Sequence, residues 1–197
     1  NLLLMVGYNR RFSPLIKKLK NIIDKFKSAK CFIYNCNAGY LDPSHWTQDI
    51  EKGGGRLLGE ACHFVDLLRF LAGAPITYIS KIEIENKNII SDSFSISIKF
   101  DDGSIGTVNY FSNGHRSFPK ENLKVFVSGK IIELDNYRKL KTWGIKGFKN
   151  IRKFTQDKGH QNCIKEFLKA IKNGNKSPIP LEEIFEVQEK LLDLVGK

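Results

Sequence analysis

The sequence predicts an α+β fold: a largely antiparallel, open β-sheet with helices packed on one of its faces. In the middle of the chain, apolar and polar residues alternate over 94–100, and Asp102-Gly103 marks a hairpin before the next apolar stretch. Near the carboxyl end, apolar residues recur at helical spacing over 164–171 and 184–195. Consecutive hairpins followed by amphipathic helices are typical of one sheet covered by helices.

The amino-terminal third alternates between predicted strands and helices. The apolar run over 1–6 reads as a buried strand. Ser13-Pro14 then supplies an N-cap and an N1 proline for a helix that extends to about Lys27. A strand over 31–38 leads into a loop, and the glycine triplet 53–55 opens a helix that stops near Gly73, with Pro75 beyond it.

The rest of the chain supplies most of the predicted sheet. Strands are expected over 76–85, 94–100, 105–111, 123–127 and 131–134. A basic, glycine-containing excursion with weak periodicity covers 137–156. Two helices then close the chain, the first ending at Gly174 and the second opened by Pro180 and acidic residues.

Composition excludes several classes of function. Of the 197 residues, 41% are hydrophobic and 27% are charged, as in ordinary soluble domains, and no apolar run approaches the ~20 residues of a membrane span. The net charge of +11 is spread over several segments without a nucleic-acid-binding motif, so we expect no nucleic-acid partner. The four cysteines form no C-x-x-C pair and no metal-like spacing, which predicts reduced thiols, no metal site and a cytoplasmic protein.

The segment with the clearest chemical content is the glycine triplet and the helix after it. Glu60, His63 and Asp66 follow at i, i+3 steps, which places an imidazole between two carboxylates on one helical stripe. This arrangement suits proton handling on a small polar substrate. The structural alternative is a glycine-rich turn before an ordinary core helix that carries a hydrogen-bonded histidine.

The same segment resembles the signature of the Gfo/Idh/MocA family of glucose–fructose oxidoreductases and inositol dehydrogenases, a run like GGG-x-L-x-D-x-G-x-H-x-x-D. Three further segments are similar in the same order: 6–14, which resembles the hinge after the family's nucleotide-binding domain, 37–49, which resembles its substrate-side loop, and 158–183, which resembles its carboxyl end. The resemblance covers nearly the whole chain.

The resemblance implies a sheet like that of the glyceraldehyde-3-phosphate dehydrogenase C-terminal domain, with the N-terminal Rossmann domain absent. No G-x-G-x-x-G occurs in the chain. Residues 1–9 would be the last strand and hinge of the missing domain, and residues 10–197 the substrate-binding and oligomerisation domain. The implied function is NAD(P)-dependent hydride transfer on a sugar, nucleotide sugar or cyclitol, with the fragment alone inactive. The alternative is a non-catalytic module that binds sugars or assembles with a partner.

The resemblance also assigns candidate residues. His63 matches the catalytic histidine, whereas Gly59 stands where the family usually has aspartate. Glu60 is the candidate replacement, as in branches fused to zinc-type alcohol dehydrogenases in polysaccharide gene settings. Substrate-binding candidates are Arg10, Arg11, Asn37, Trp46, Asp66 and His160, and cofactor-binding candidates are Asn9 and Lys158.

Structural roles compete with several of these assignments. The hinge arginines Arg10 and Arg11 would serve equally in an ion pair. Asp66 is either the residue that orients His63 or an exposed helical carboxylate. Trp46 would also serve as a loop anchor, and His160 as a helix cap. Finally, the resemblance implies a homo-oligomer formed through the open sheet face.

Overall fold

The computed structural model describes residues 2–42, 44–48, 50–84 and 92–195. Their strands form one eight-stranded sheet in the order β2-β3-β4-β1-β5-β6-β7-β8. The strands are β1 Cys31–Asn37, β2 Ile76–Glu83, β3 Phe94–Phe100, β4 Ile105–Phe111, β5 Glu121–Val127, β6 Lys130–Asp135, β7 Lys139–Trp143 and β8 Ile151–Arg152. Strand β1 pairs in parallel with β4, and every other pairing in this sheet is antiparallel. The predicted α+β class and largely antiparallel sheet are confirmed.

Five α-helices accompany the sheet in the described residues: α1 Pro14–Ile23, α2 Ile50–Gly53, α3 Cys62–Ala72, α4 His160–Asn173 and α5 Leu181–Leu192. Short 3-10 helices cover Asn9–Phe12 and Trp46–Gln48, and a π-helical turn, Leu57–Ala61, leads into α3. The longest of these helices, α4, has 14 residues, and none in the described part of the chain is long and apolar enough to cross a membrane.

The core lies between the helices and one face of the sheet. Strand β3 buries its four apolar residues, Phe94, Ile96, Ile98 and Phe100, while the serines and lysine between them point away. Nine of the eleven residues of α3 are buried, so this helix is the centre of the helical layer. Because α3 carries His63, the candidate residue is fixed to a rigid element.

The structure differs from the prediction at the end of α1 and in the basic excursion over 137–156. Helix α1 ends at Ile23 rather than near Lys27, since the N–H of Phe26 bonds to the carbonyl of Ile23 in a tighter i to i−3 turn. The basic excursion contributes β7 and β8, and the half-buried lysines on either side of the buried Leu140 in β7 concealed its apolar alternation.

The apolar segment over 1–6, predicted to be the last strand of a missing domain, forms no strand over residues 2–6. Its place in the sheet of another domain stays a prediction. Residues 2–8 have no strand pairing, and Leu2 and Leu4 are 103% and 53% exposed. A strand requires a neighbour that pairs with its N–H and C=O groups, and the described residues place no strand beside this segment. The segment instead leads into the Asn9–Phe12 turn, which packs against α4.

Candidate functional site

The glycine triplet shapes the backbone before α3. Gly54 and Gly55 have φ of +67° and +68°, a region that favours glycine. A Cβ on Gly53 would lie 2.5 Å from the carbonyl oxygen of Trp46, so this glycine lets the Trp46–Gln48 turn pack against the helix start. The π-helical turn Leu57–Ala61 follows, and such turns occur frequently at functional sites.

His63 lies in the first turn of α3, half-buried against the hinge segment. Its ring packs edge-on against Tyr8, with ring centroids 5.7 Å apart and an interplanar angle of 81°. The Nδ1 atom is buried and has no hydrogen-bond partner in the structure. Burial, reinforced by the nearby Arg10 cation, lowers the pKa of His63 to about 4. The imidazole is therefore neutral at pH 7 and able to accept a proton.

This protonation state gives a direct prediction. In a pH titration of the folded chain followed by NMR of the imidazole carbons, we expect His63 to titrate with a pKa of about 4. In the urea-unfolded chain the same group should return to about 6.5, the value of an unperturbed histidine. A folded-state value near 6.5 would show that His63 is solvated and would contradict the burial described above.

Glu121, the first residue of β5, is the centre of one ion-pair cluster beside His63. The Arg10 guanidinium donates two hydrogen bonds to its carboxylate, at 2.9 and 3.2 Å, and the Lys158 ammonium donates a third at 2.5 Å. The Tyr34 hydroxyl donates to the same carboxylate. Burial alone would raise the pKa of Glu121, but Arg10 and Lys158 outweigh it and hold that pKa at about 2. Glu121 is therefore ionised at pH 7.

The Glu121 cluster joins four separate parts of the fold. Arg10 comes from the hinge turn and also packs over the Phe64 ring, with 4.6 Å between Cζ and the ring centroid. Lys158 precedes Gly159, where an added Cβ would lie 2.4 Å from the amide nitrogen of Ser13. This close backbone approach brings Lys158 to the hinge.

Glu60 is the centre of a second cluster. Lys120 donates to one carboxylate oxygen at 2.6 Å, and the Tyr110 hydroxyl donates to the other at 2.5 Å. Arg56 lies 3.8 Å from the same carboxylate and packs over the Tyr110 ring. Burial opposes ionisation of Glu60, but the hydrogen bonds from Lys120 and Tyr110 lower its pKa. Because both oxygens are engaged, Glu60 holds cations in place and is poorly suited to act as a free base.

The two clusters form one polar site at the end of β1. Cys36, buried there, is electrostatically close to both Glu121 and Glu60, and its pKa is raised to about 12, chiefly by burial. His63 is electrostatically close to Arg10, Glu60 and Glu121, and also to the exposed His160 at the start of α4. The structure thus brings together five of the predicted residues: His63, Glu60, Arg10, Lys158 and His160.

Arg11 and Asp66 are placed differently from their predicted roles. The Arg11 guanidinium donates to both oxygens of Asp66, at 2.8 and 2.6 Å, and to Glu183 of α5 at 2.5 Å. The side chains of Arg11 and Asp66 are 5% and 0% exposed. Arg11 and Asp66 therefore form a buried ion pair that, together with Glu183, connects the hinge to α3 and α5. Asp66 bonds to Arg11 instead of orienting His63.

The remaining candidates lie at the periphery. Asn9 donates from Nδ2 to the carbonyl of Lys158, which fixes that loop. Asn37 donates to the carbonyls of His115 and Phe118 and lines a groove of about 760 Å³ on the sheet together with Phe111.

Trp46 is 62% exposed, and its ring centroid lies 6.0 Å from that of His45. No grouping of metal-binding side chains was found in the described ranges.

Sequence reasoning missed Glu121, Lys120, Arg56 and Tyr110, which complete the two clusters. In the sequence, Glu121 and Lys120 precede the strand predicted over 123–127 and look like its polar flank, and Tyr110 is one of many apolar strand residues. The pairing of β1 with β4 and β5 brings Tyr110, Lys120 and Glu121 to the start of α3, where Arg56 already lies one turn before Glu60.

Comparison with known proteins identifies the family and the fold. A family model described as "Oxidoreductase family, C-terminal alpha/beta domain" matches residues 17–191. One curated relative is a 1-carboxy-3-chloro-3,4-dihydroxycyclo hexa-1,5-diene dehydrogenase of Comamonas testosteroni, 27% identical over 122 residues. The match covers 57% of this chain and 30% of that protein.

Solved structures share the fold at low identity. UDP-N-acetylglucosamine 3-dehydrogenase GnnA from Acidithiobacillus ferrooxidans superposes with a TM-score of 0.78 at 17% identity, over 98% of this chain and 60% of that one. GenD2 from gentamicin A biosynthesis, solved in complex with NAD, gives 0.76 at 15% identity, with the same coverage. The chain thus spans under a third of the curated relative and about three fifths of these structures. With its family model, sheet and glycine-led helix in agreement, the chain belongs to the Gfo/Idh/MocA oxidoreductase family, as its C-terminal α/β domain.

Proposed function

We propose that this chain is the substrate-binding part of an NAD(P)-dependent oxidoreductase that oxidises or forms a hydroxyl group on a sugar, nucleotide sugar or cyclitol. The observation that carries the proposal is the half-buried imidazole of His63, which the glycine-led helix places beside the Glu121 and Glu60 clusters. The family assignment supports it. Two solved structures with a similar fold also support it: one is a UDP-N-acetylglucosamine 3-dehydrogenase, and the other was solved in complex with NAD.

In this mechanism the role of His63 is to take the proton of the substrate hydroxyl. The chemistry that a bound nicotinamide would supply is acceptance of a hydride from the carbon that carries that hydroxyl. His63, neutral at pH 7, takes the hydroxyl proton. Because Nδ1 is buried, the nitrogen with this role is Nε2. Glu60 and Glu121 remain ionised and hold Lys120, Lys158 and Arg10 in fixed positions around it.

The cofactor itself needs more than this chain provides. A dinucleotide is ordinarily held by a strand, a glycine-rich turn and a helix N-terminus, and the sequence contains no G-x-G-x-x-G. Within this chain, Lys158 is the residue best suited to face the cofactor, since it lies at the hinge and its side chain is 18% exposed. Asn9 holds the Lys158 loop in position. We therefore assign most cofactor contacts to a separate nucleotide-binding domain.

The proposal is tested with the product of the complete reading frame. Absorbance at 340 nm should rise when NAD⁺ or NADP⁺ is mixed with at least one member of a panel of sugars, nucleotide sugars and cyclitols, and the 197-residue chain alone should give no rise. Absence of cofactor binding by the complete product would overturn the proposal. It would favour instead a non-catalytic sugar-binding or assembly module.

We also propose that copies of this cytoplasmic protein associate through the open sheet face. Large apolar side chains are exposed there, among them Tyr78 (58%), Ile82 (79%), Ile105 (52%) and Trp143 (49%). We expect sedimentation velocity to show a dimer or larger species. Ile105→Asp, near the centre of the sheet, should shift it toward the monomer. A wild-type monomer at micromolar concentration would contradict this interface.

A further inference from the structure

We propose that the substrate of this site carries an anionic group, a carboxylate or a phosphate, and that Lys120 binds it. This inference rests on the proposed function and names the substrate class more narrowly. Lys120 belongs to the Glu60 cluster and reaches that carboxylate from the loop before β5.

The first argument is the charge balance around His63. Arg10 and Lys158 share the Glu121 carboxylate, and Lys120 and Arg56 share the Glu60 carboxylate. Among the described residues, the two clusters thus hold four cations and two anions. Since His63 is neutral, two positive charges are left without a counter-ion inside the clusters. Charge excess of this kind in a partly buried site attracts anions.

The second argument is the incomplete pairing of Arg56. Its side chain is 4% exposed, and its Nε is buried without a hydrogen-bond partner. Its nearest polar contacts are long, 3.4 Å to the carbonyl of Gly39 and 3.8 Å to Glu60. A buried guanidinium with weak partners leaves its positive charge poorly compensated at the Glu60 cluster. The field of Arg56 therefore adds to that of Lys120.

The third argument is accessibility. Of the four cations, Arg10 and Arg56 are buried and Lys158 is 18% exposed, whereas the Lys120 side chain is 40% exposed. Its bond to Glu60, whose carboxylate is electrostatically close to His63, holds the ammonium at the same polar site. Lys120 is thus the most exposed of the four cations and the one most open to a ligand. A lysine ammonium is a compact point charge with three donors, which suits either a carboxylate or a phosphate.

Lys124 provides a matched control for Lys120. Its side chain is 43% exposed, and it also pairs with a glutamate, Glu133, at 3.9 Å. It lies on the open face of the sheet, in the same strand that begins with Glu121, so its removal changes the net charge equally without touching the site.

The anion site is tested first on this chain with inorganic phosphate, followed by chemical-shift changes at His63. We expect saturable binding that Lys120→Met weakens by about 10-fold or more, the loss of one charge-assisted contact. Lys120→Arg should restore binding and Lys124→Met should leave it unchanged. Absence of saturable binding, or equal binding by all four proteins, would overturn the inference.

The second test uses the complete product and three forms of one sugar: neutral, uronate and phosphate ester. Lys120→Met should raise KM for whichever anionic form is the substrate by about 10–100-fold and change kcat little. The uronate and the ester distinguish the two sources of the anion. Preference for the neutral sugar would overturn the inference while leaving the proposed function intact. A product that reduces no cofactor would instead overturn the proposed function, and the phosphate titration would still decide the anion site.

Discussion

Replacement of His63 by alanine is expected to lower kcat/KM of the complete product by about 10²–10⁴-fold, the range that general acid–base groups contribute. The imidazole is the candidate proton acceptor of the site, because it is unprotonated at pH 7 whereas the Glu60 and Glu121 carboxylates are bound to cations. Without it, the hydroxyl proton has no acceptor at this position. The rate is measured as cofactor reduction at 340 nm with the substrate identified in the panel.

His115→Ala provides the control for this substitution. His115 is exposed, and its Nδ1 lies 2.8 Å from the Ser117 hydroxyl on the loop before β5, away from α3. Its removal should leave kcat/KM within about twofold, since surface substitutions away from special contacts are usually near neutral. Equal losses in the two variants, or full activity in His63→Ala, would show that His63 is not the proton acceptor.

Substitution of Glu121 by leucine should lower the free energy of unfolding by about 3–5 kcal/mol. The carboxylate is 1% exposed and accepts hydrogen bonds from Arg10 and Lys158. Leucine cannot accept them, so two cations would stay in a partly buried environment without their counter-ion. Urea unfolding of the 197-residue chain measures the loss.

Glu133→Leu is the matched control, because Glu133 is a strand carboxylate on the open face, 3.9 Å from Lys124. Its loss should cost no more than about 1 kcal/mol. The pH dependence provides a second check. Since the pKa of Glu121 is depressed from 4.5 to about 2, its contribution is present above pH 4.5 and disappears as the pH falls toward 2. A difference between wild type and Glu121→Leu that persisted undiminished at pH 2 would contradict the ion-pair account.

The sheet was largely predictable because its strands carry their burial pattern in the sequence. In β3, Phe94, Ile96, Ile98 and Phe100 are buried, and the polar residues that alternate with them lie on the opposite face of the strand. The parallel pairing of β1 with β4 was not predicted, since strands 31–37 and 105–111 carry no local signal of their partner. The segment over 1–6 was predicted to be a strand from its apolar residues. Apolar residues alone do not form a strand unless another strand lies beside them, and the described residues provide none there.

Five predicted residues meet at the candidate site, but the contacts between them and the partners that complete the two clusters were not predictable. The glycine triplet predicted a helix that carries His63, and the structure places it on α3. The stripe of Glu60, His63 and Asp66 assumed regular α-helical spacing, whereas the π-helical turn Leu57–Ala61 contains Glu60 and alters that spacing.

The ion-pair partners lie far away in sequence. Asp66 bonds to Arg11, 55 residues away, and Arg10 bonds to Glu121, 111 residues away. Each of these contacts depends on how the sheet and helices are assembled, which local spacing does not encode.

The central claim, that His63 contacts the substrate, is tested most directly by NMR of its imidazole in the complete product. Isotope-labelled histidine resonances are followed while the oxidised cofactor and then the substrate are added, with His63→Ala used to assign the signal. The account predicts a small change with cofactor alone and a large, saturable change of the His63 signals with substrate. Unchanged His63 resonances in a sample that turns the substrate over would contradict it.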